Sequence, residues 1–318
     1  MKPEYKVLVY YHIPEFLERY KKLLGEARGD LHLFICENKE QIKRHIKEAD
    51  IIFSGHSFPV ELIPKAENLK WIQSMSAGVE NFVLSRSIPP HVVLTKITGV
   101  HGPIMSEYVL GYILALTLHM KQGFENQKKR DWPYYVPDTI RSKTVGVIGL
   151  GSVGAYIAYK LHLAGAEVIG LEEQEKRLPF INREFLVPEI DEFLRNSDFV
   201  VMTLPLCPDT QGFFDERHFA KMKKSAYFLN VSRGAVVNEE ALVKALKSSH
   251  IAGAVLDVFC EEPLPKDHEL WKLDNVIITP HISGPSIPED IMKVFLDNLK
   301  RFEEGKELKG VVDLEKGY

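Results

Sequence analysis

Residues 144–154, TVGVIGLGSVG, constrain this chain more than any other stretch. Thr144–Ile148 is apolar and β-rich, the pattern of a buried strand. It breaks into Gly149-Leu150-Gly151-Ser152-Val153-Gly154, a G-x-G-x-x-G turn. Ala155–Ala164 then reads as a helix stopped by Gly165, and Glu167–Leu171 as a second strand ending in Glu172-Glu173. A glycine-rich turn also occurs without any ligand. Strand, glycine turn, helix, strand and acid in this order point instead to a bound dinucleotide.

Each glycine has a physical task in that reading. Gly149 permits the tight turn, Gly151 lets a pyrophosphate approach the backbone, and Gly154 lets the helix pack close to the sheet. The helix N-terminus, with its free N–H groups, faces the phosphates. Glu172 lies 18 residues beyond Gly154, where a carboxylate accepts hydrogen bonds from the adenosine ribose. Glu172 and Glu173 repel a ribose 2′-phosphate, which favours NAD over NADP. Arg177, a few residues on, opposes that preference.

The chain has 318 residues, enough for two domains, and a net charge of −4 without a long basic block, which argues against nucleic acid as a partner. Lys128-Lys129-Arg130 is the densest basic cluster and reads as a solvated helix end. Cys36, Cys207 and Cys260 are an odd number without metal-ligand spacing, so a reducing compartment is expected and no metal site. The apolar run at the N-terminus is too short for a signal peptide, and Tyr108–Leu118 is too short to span a bilayer. The expectation is a cytoplasmic enzyme without a membrane partner.

Taken in order, the chain alternates strands and helices, the pattern of parallel sheets covered on both faces. Predicted strands at Lys6–Tyr11, Leu31–Ile35, Ile51–Ser54, Trp71–Ser74 and Val92–Leu94 open it, with helices at Glu15–Leu24 and Lys39–Glu48. Ser76-Ala77-Gly78-Val79 follows a strand with small residues, suiting either a carboxylate ligand or an ordinary turn. Pro103 is expected to start one long apolar helix from Ile104 to about Lys129, buried between lobes or subunits. Beyond the glycine turn, strands at Phe199–Leu204, Ala226–Val231, Ile251–Leu256 and Val276–Thr279 continue the alternation, with helices at Glu239–Ser248 and Pro288–Glu304. Arg233, Asp257 and His281 each fall just past the carboxyl end of a predicted strand, where open α/β sheets bind ligands.

A nicotinamide supplies hydride, and the protein supplies orientation, charge and a proton. His281 suits the general acid that a carbonyl reduction needs, and Glu262 is the carboxylate that would favour its imidazolium. Arg233 has the fork to hold a 2-keto acid carboxylate. Singly, these would pass as a structural histidine, a solvated loop acid and a surface ion pair; their shared sheet edge sets them apart.

These residues carry a family resemblance. The segments Asn230–Asn238 (NVSRGAVVN), Leu256–Leu264 (LDVFCEEPL) and Thr279–Gly284 (TPHISG), with the G-L-G-x-x-G turn, resemble signatures of the D-isomer-specific 2-hydroxy acid dehydrogenases. The likeness is to glyoxylate/hydroxypyruvate reductase-like and phosphoglycerate dehydrogenase-like members. Ser76–Val79 and the segment from His101-Gly102-Pro103 to Glu107-Tyr108 extend it over almost the whole chain.

The resemblance implies an α/β fold of two Rossmann-like, flavodoxin-like parallel-sheet domains. The cofactor domain, residues 102–282, is inserted into a discontinuous substrate domain, 1–101 with 283–318. Hinges would lie near Gly99–Pro103 and Ile282–Pro285. Catalytic roles are implied for Arg233, Glu262 and His281, and substrate binding for Ser76, Ala77, Gly78, Val79 and Arg233. Cofactor contacts are implied for Gly149, Gly151, Ser152, Val153, Gly154, Glu172, Leu204, Pro205, Thr210, Val231, Ser232, Arg233, Asp257, His281, Ser283 and Gly284. Asp257 would face the nicotinamide carboxamide.

The implied partners are a small 2-keto or 2-hydroxy acid (glyoxylate, hydroxypyruvate or a larger one) and a second copy joined through the cofactor domain. Ser152 replaces the Arg common in this turn, Glu172 the usual Asp, and Asn238 a frequent Asp, while Glu80-Asn81 stands for the usual Asp-Asn or Asp-His. His12, His56, Met75, Trp132 and Tyr135 are candidate neighbours of the substrate side chain. The alternative readings are an NAD(H)-sensing interaction protein of the co-repressor type, whose fold this one resembles, or a formate dehydrogenase-like relative. Such a relative carries Gln where this chain has Glu262.

Overall fold

The structure, a computed structural model, describes residues 5–317. Its contacts divide into two compact units. One takes the chain up to Val100 and again from Ser286; the other is His101–Pro285.

The first unit runs β1 (Lys6–Tyr10), α1 (Pro14–Ala27), β2 (His32–Cys36), α2 (Lys39–His45), β3 (Ile51–Ser54), β4 (Trp71–Ser74), α3 (Glu80–Leu84) and β5 (Val93–Thr95). The sheet order is β2-β1-β3-β4-β5, every pairing parallel. Its strands are buried on both faces because one apolar cluster, with Leu8, Ile52 and Ile72, covers one side and another, with Val7, Phe53 and Trp71, covers the other.

The second unit runs α4 (His101–Thr117), α5 (Met120–Lys129), β6 (Thr144–Ile148), α6 (Ser152–Leu163), β7 (Glu167–Glu172), β8 (Arg183–Leu186), α7 (Ile190–Asn196) and β9 (Phe199–Met202). It continues with α8 (Glu216–Phe219), β10 (Tyr227–Asn230), α9 (Glu239–Lys247), β11 (Gly253–Leu256) and β12 (Val276–Ile278). The order β12-β11-β10-β9-β6-β7-β8 is again wholly parallel. The winding reverses between β6 and β9, so the glycine turn after β6 sits at the switch point.

The chain then returns to the first unit with α10 (Pro288–Glu303). Phe295 of α10 is fully buried, stacked on Phe53 at 4.2 Å and on Trp71 at 5.4 Å. Asn298, also fully buried, donates to the Gln73 Oε1 at 3.0 Å and to the Lys309 carbonyl at 2.9 Å. Burying one such aromatic side chain stabilises by about 2–3 kcal/mol, which is why the C-terminal helix docks on the N-terminal sheet.

Three expectations need correction. The single helix over 104–129 is two. Thr117 turns its hydroxyl back onto the Ile113 carbonyl, and its own carbonyl accepts the Asp138 N–H at 2.9 Å, so the helical ladder stops. His119 then takes a left-handed φ of 52°. The burial also divides. Met105, Val109 and Ile113 of α4 pack with Ile157, Ala158 and Leu161 of α6 inside the second unit, whereas α5 buries none of its residues. Finally, α6 starts at Ser152, three residues before the expected Ala155, so the helix begins inside the glycine motif.

β8 and α7 were unforeseen additions to the predicted alternation. Arg183–Leu186 is short and charged, as befits an edge strand.

Candidate functional site

Five strands of the larger sheet end together. Ile148 pairs in register with Met202, Met202 with Asn230, Asn230 with Leu256, and Leu256 with Ile278. The residues that follow, Gly149, Thr203, Val231, Asp257 and Thr279, therefore form one row along the carboxyl edge. From β6 to β12 this row crosses four strand spacings, about 19 Å at the usual separation.

The glycine turn occupies one end. Gly149 has φ +87°, which a side chain would strain. An added Cβ on Gly154 would lie 1.9 Å from the Gly149 carbonyl oxygen, so this glycine lets the helix close on the turn. Gly151 differs: its Cβ would meet nothing within 4 Å. Gly151 is also the N-cap of α6, with no side chain capping the helix. Open space in front of uncapped N–H groups, flanked by exposed Ser152 and half-buried Val153, fits a pyrophosphate.

The two glycines thus separate by experiment. Gly154→Ala is expected to destabilise the fold by about 3 kcal/mol or more through overpacking, read as a fall in Tm. Gly151→Ala should leave Tm unchanged and weaken NADH binding, read by titration of nicotinamide fluorescence.

Glu172 stands at the end of β7, its side chain mostly buried. Its carboxylate accepts the Leu150 N–H of the glycine turn and pairs with the Lys176 ammonium at 2.8 Å. Leu204 and Pro205 follow β9, and Thr210 closes their loop by donating to the Pro205 carbonyl at 2.6 Å. Thr203, which sequence reasoning passed over, donates its hydroxyl to the Gly149 carbonyl at 2.6 Å and so ties this loop to the turn.

Beyond β10 the buried Asn230 amide shapes the next loop. Its oxygen accepts the Ser232 N–H at 3.0 Å and hydroxyl at 2.9 Å, and its nitrogen donates to the Arg233 carbonyl at 3.2 Å. The Arg233 guanidinium, half-buried, donates to the Ser232 carbonyl at 2.7 Å. Gly234 presses against the Phe259 backbone, 2.0 Å from where its Cβ would be. This contact brings the arginine loop against the segment that carries Glu262. Val231 and Ser232 are buried beneath it.

At the far end of the row, His281 and Glu262 meet. His281 Nδ1 and Glu262 Oε2 are 2.7 Å apart, and Glu262 Oε1 accepts the Phe259 N–H at 3.0 Å. Partial burial pushes the Glu262 carboxyl up. The bond to His281, the Phe259 N–H and the nearby Arg233 charge outweigh that and hold it below the usual glutamate range. With Nδ1 engaged, His281 is left with Nε2 to present outward from an exposed side chain.

His281 has a left-handed φ of 54°, a strained conformation that its surroundings must fix. Asp257 does so. This fully buried carboxylate accepts the Thr279 hydroxyl at 2.5 Å and the N–H groups of Ile282 and Ser283, each at 2.8 Å. The Tyr108 hydroxyl of α4 meets Thr279 Oγ1 at 2.5 Å, extending the network. Gly284, next along, approaches Met105 and the buried His101. Burial and the Arg233 charge push the His101 imidazole below its ordinary pKa.

One unit therefore holds every candidate cofactor residue with Arg233, Glu262 and His281. Ser76, Ala77, Gly78 and Val79 belong to the other unit, between β4 and α3, where Ser74 Oγ donates to the Ser76 carbonyl at 3.1 Å. His12 and His56 also lie there, their rings 5.6 Å apart. Among the described residues no cluster of His, Cys, Asp or Glu could hold a metal ion, and no helix is long and apolar enough to cross a membrane.

Known proteins resemble this chain in sequence and in fold. Residues 110–283 match the family described as D-isomer specific 2-hydroxyacid dehydrogenase, NAD binding domain. A glyoxylate reductase of Thermofilum pendens is 34% identical over 263 residues, 79% of this chain and 76% of that protein. A D-isomer specific 2-hydroxyacid dehydrogenase of Xanthobacter autotrophicus Py2, solved with NADPH and MES, has a TM-score of 0.92 at 31% identity, covering 99% of this chain and 100% of its own. An NADPH-dependent glyoxylate/hydroxypyruvate reductase of Sinorhizobium meliloti, solved with NADP and sulfate, has a TM-score of 0.90 at 28% identity, covering 99% and 100%.

Proposed function

We propose the catalytic residues of this chain, which belongs to the D-isomer-specific 2-hydroxy acid dehydrogenases and so is an NAD(P)-dependent oxidoreductase acting on small 2-keto and 2-hydroxy acids. His281 is the general acid/base, Glu262 its partner, and Arg233 the substrate anchor. The observation that carries this is the 2.7 Å pairing of His281 Nδ1 with Glu262 on the sheet edge that bears the glycine turn.

The dinucleotide, when bound, supplies or accepts the hydride at substrate C2. The chain does the rest. Arg233 holds the 2-keto acid by its carboxylate and draws charge from the carbonyl. His281 Nε2 gives its proton to the carbonyl oxygen as C2 is reduced, and takes it back in the reverse direction. Glu262 fixes the ring by accepting from Nδ1 and stabilises the imidazolium. The Asp257 network holds the backbone on either side of His281; Asp257 itself is fully buried with both oxygens engaged, so in this reading it supports the nicotinamide side from beneath, next to Ser283 and Gly284. In the Ser76–Val79 turn the Ser76 N–H is taken by Ser74 Oγ at 3.1 Å, so Ala77, Gly78 and Val79 are the N–H groups proposed for the substrate carboxylate.

The depressed Glu262 pKa fixes a sign. A carboxyl held below its unfolded value contributes stability above the usual glutamate range, and loses it as pH falls through the lower folded value. Glu262 is thus ionised wherever an imidazole titrates. In Glu262→Gln the alkaline limb of kcat/KM for reduction should move to lower pH, by about one unit or more. An unmoved limb would separate Glu262 from the proton step.

The substrate we favour is glyoxylate or hydroxypyruvate, with NAD preferred over NADP because Glu172 ends β7. A formate dehydrogenase-like reaction needs no proton donor, and the Glu262–His281 pair argues against it. A panel of 2-keto acids assayed with NADH and NADPH in parallel tests the assignment; no turnover of any would refute it.

We also place a second copy on α5 and the segment after it. That helix buries nothing, and Trp132, Tyr134 and Val136 are 97%, 90% and 73% exposed. Sedimentation of the full chain should give a dimer. Three unbridged cysteines support a cytoplasmic setting.

A further inference from the structure

Glu172 is not a bare carboxylate. The Lys176 ammonium bonds to it at 2.8 Å and also donates to the Leu150 carbonyl at 3.0 Å, while Glu172 accepts the Leu150 N–H. Lys176 and Glu172 thus grip both polar groups of one residue in the glycine turn. The segment carrying the lysine is itself fixed. Glu184 of β8 accepts the N–H of Lys176 at 2.8 Å and of Leu178 at 2.9 Å. Arg177, the other cation, points elsewhere: it is 87% exposed and paired with Glu175 at 3.1 Å.

A 2′-phosphate beside Glu172 alone would meet one uncompensated negative charge. Beside the pair it meets a net charge of zero and a donor already in place. We propose that Lys176 is a specificity-determining residue of the cofactor site: its ammonium offsets Glu172, so the enzyme binds NADP as well as NAD, with only a modest preference between them. This rests on reading the glycine turn as a dinucleotide site, and it changes the meaning of Glu172 from exclusion to bias. Of the neighbouring acids, Glu175 is paired with Arg177, while the exposed Glu173 adds one negative charge that keeps a modest preference for NAD.

The test is equilibrium binding of NADH and NADPH to the full chain, read by nicotinamide fluorescence without substrate. In Lys176→Gln the ratio of Kd for NADPH to Kd for NADH should rise about tenfold or more, the usual effect of one charge at contact distance. Lys176→Arg should retain the native ratio, and Glu172→Gln should lower it. Raising ionic strength should narrow the difference between Lys176→Gln and the native chain. An unchanged ratio in Lys176→Gln, or a ratio that moves only in Arg177→Gln, overturns the proposal while leaving the dinucleotide site intact. Failure of the native chain to bind either nucleotide removes the site and the proposal together.

Discussion

His281→Ala is expected to lower kcat for 2-keto acid reduction by about a thousandfold, within the range that a positioned general acid supplies. NADH should still bind, because the glycine turn lies about four strand spacings away along the sheet edge. The size of the loss follows from geometry. Glu262 occupies Nδ1 at 2.7 Å, so Nε2 is the nitrogen that can reach a substrate. The strained backbone of His281 is held by its N–H to the Asp257 carbonyl at 2.9 Å and by Asp257 bonds to the two residues that follow. A group fixed so firmly is not replaced by water at the same place. A His281→Ala variant within tenfold of the native kcat would show that the proton comes from elsewhere.

Arg233→Ala is expected to cost about three decades in kcat/KM, equivalent to about 4 kcal/mol, as the substrate carboxylate loses its bonded charge. Both parameters should suffer. KM rises because the substrate carboxylate loses its anchor, and kcat falls because the carbonyl loses a polarising charge. Arg233→Lys should recover less than tenfold of this, since an ammonium cannot reproduce the planar fork. The loop geometry sharpens the expectation. The guanidinium is tethered to the Ser232 carbonyl at 2.7 Å, and the loop is shaped by Asn230. A shorter-reaching point charge would not sit where that loop aims the fork. Full recovery by lysine would mean that only net charge matters there.

The α/β character and the parallel sheets were legible because strand periodicity, glycine placement and strand-end polar residues are local signals. Thr144–Gly154 announces a strand, a turn and a helix without help from the rest of the chain. The sequence also nominated Glu262 for His281, and the structure places them in hydrogen-bond contact.

What stayed hidden depends on partners far away in sequence. The break after Thr117 comes from the Asp138 N–H taking its carbonyl, 21 residues away. Thr279, Tyr108 and Asn230 carry no motif that reveals which carboxylate, hydroxyl or backbone group each one meets. Gly234 looks like any loop glycine until the Phe259 backbone is seen against it. Lys176 is one charge in a run of charges, and only the fold shows that its ammonium turns back onto Glu172. Clamps of this kind are tertiary, and a linear pattern does not encode them.

In the proposed reaction hydride reaches C2 of a 2-keto acid from the nicotinamide while His281 protonates the oxygen. Single-turnover reduction of glyoxylate and hydroxypyruvate with NADH carrying deuterium at both C4 positions of the nicotinamide tests this. The expected result is deuterium at C2 of the product, D configuration for glycerate from hydroxypyruvate, and loss of the reaction in His281→Ala. An L product, or label absent from C2, would overturn this reaction for the chain.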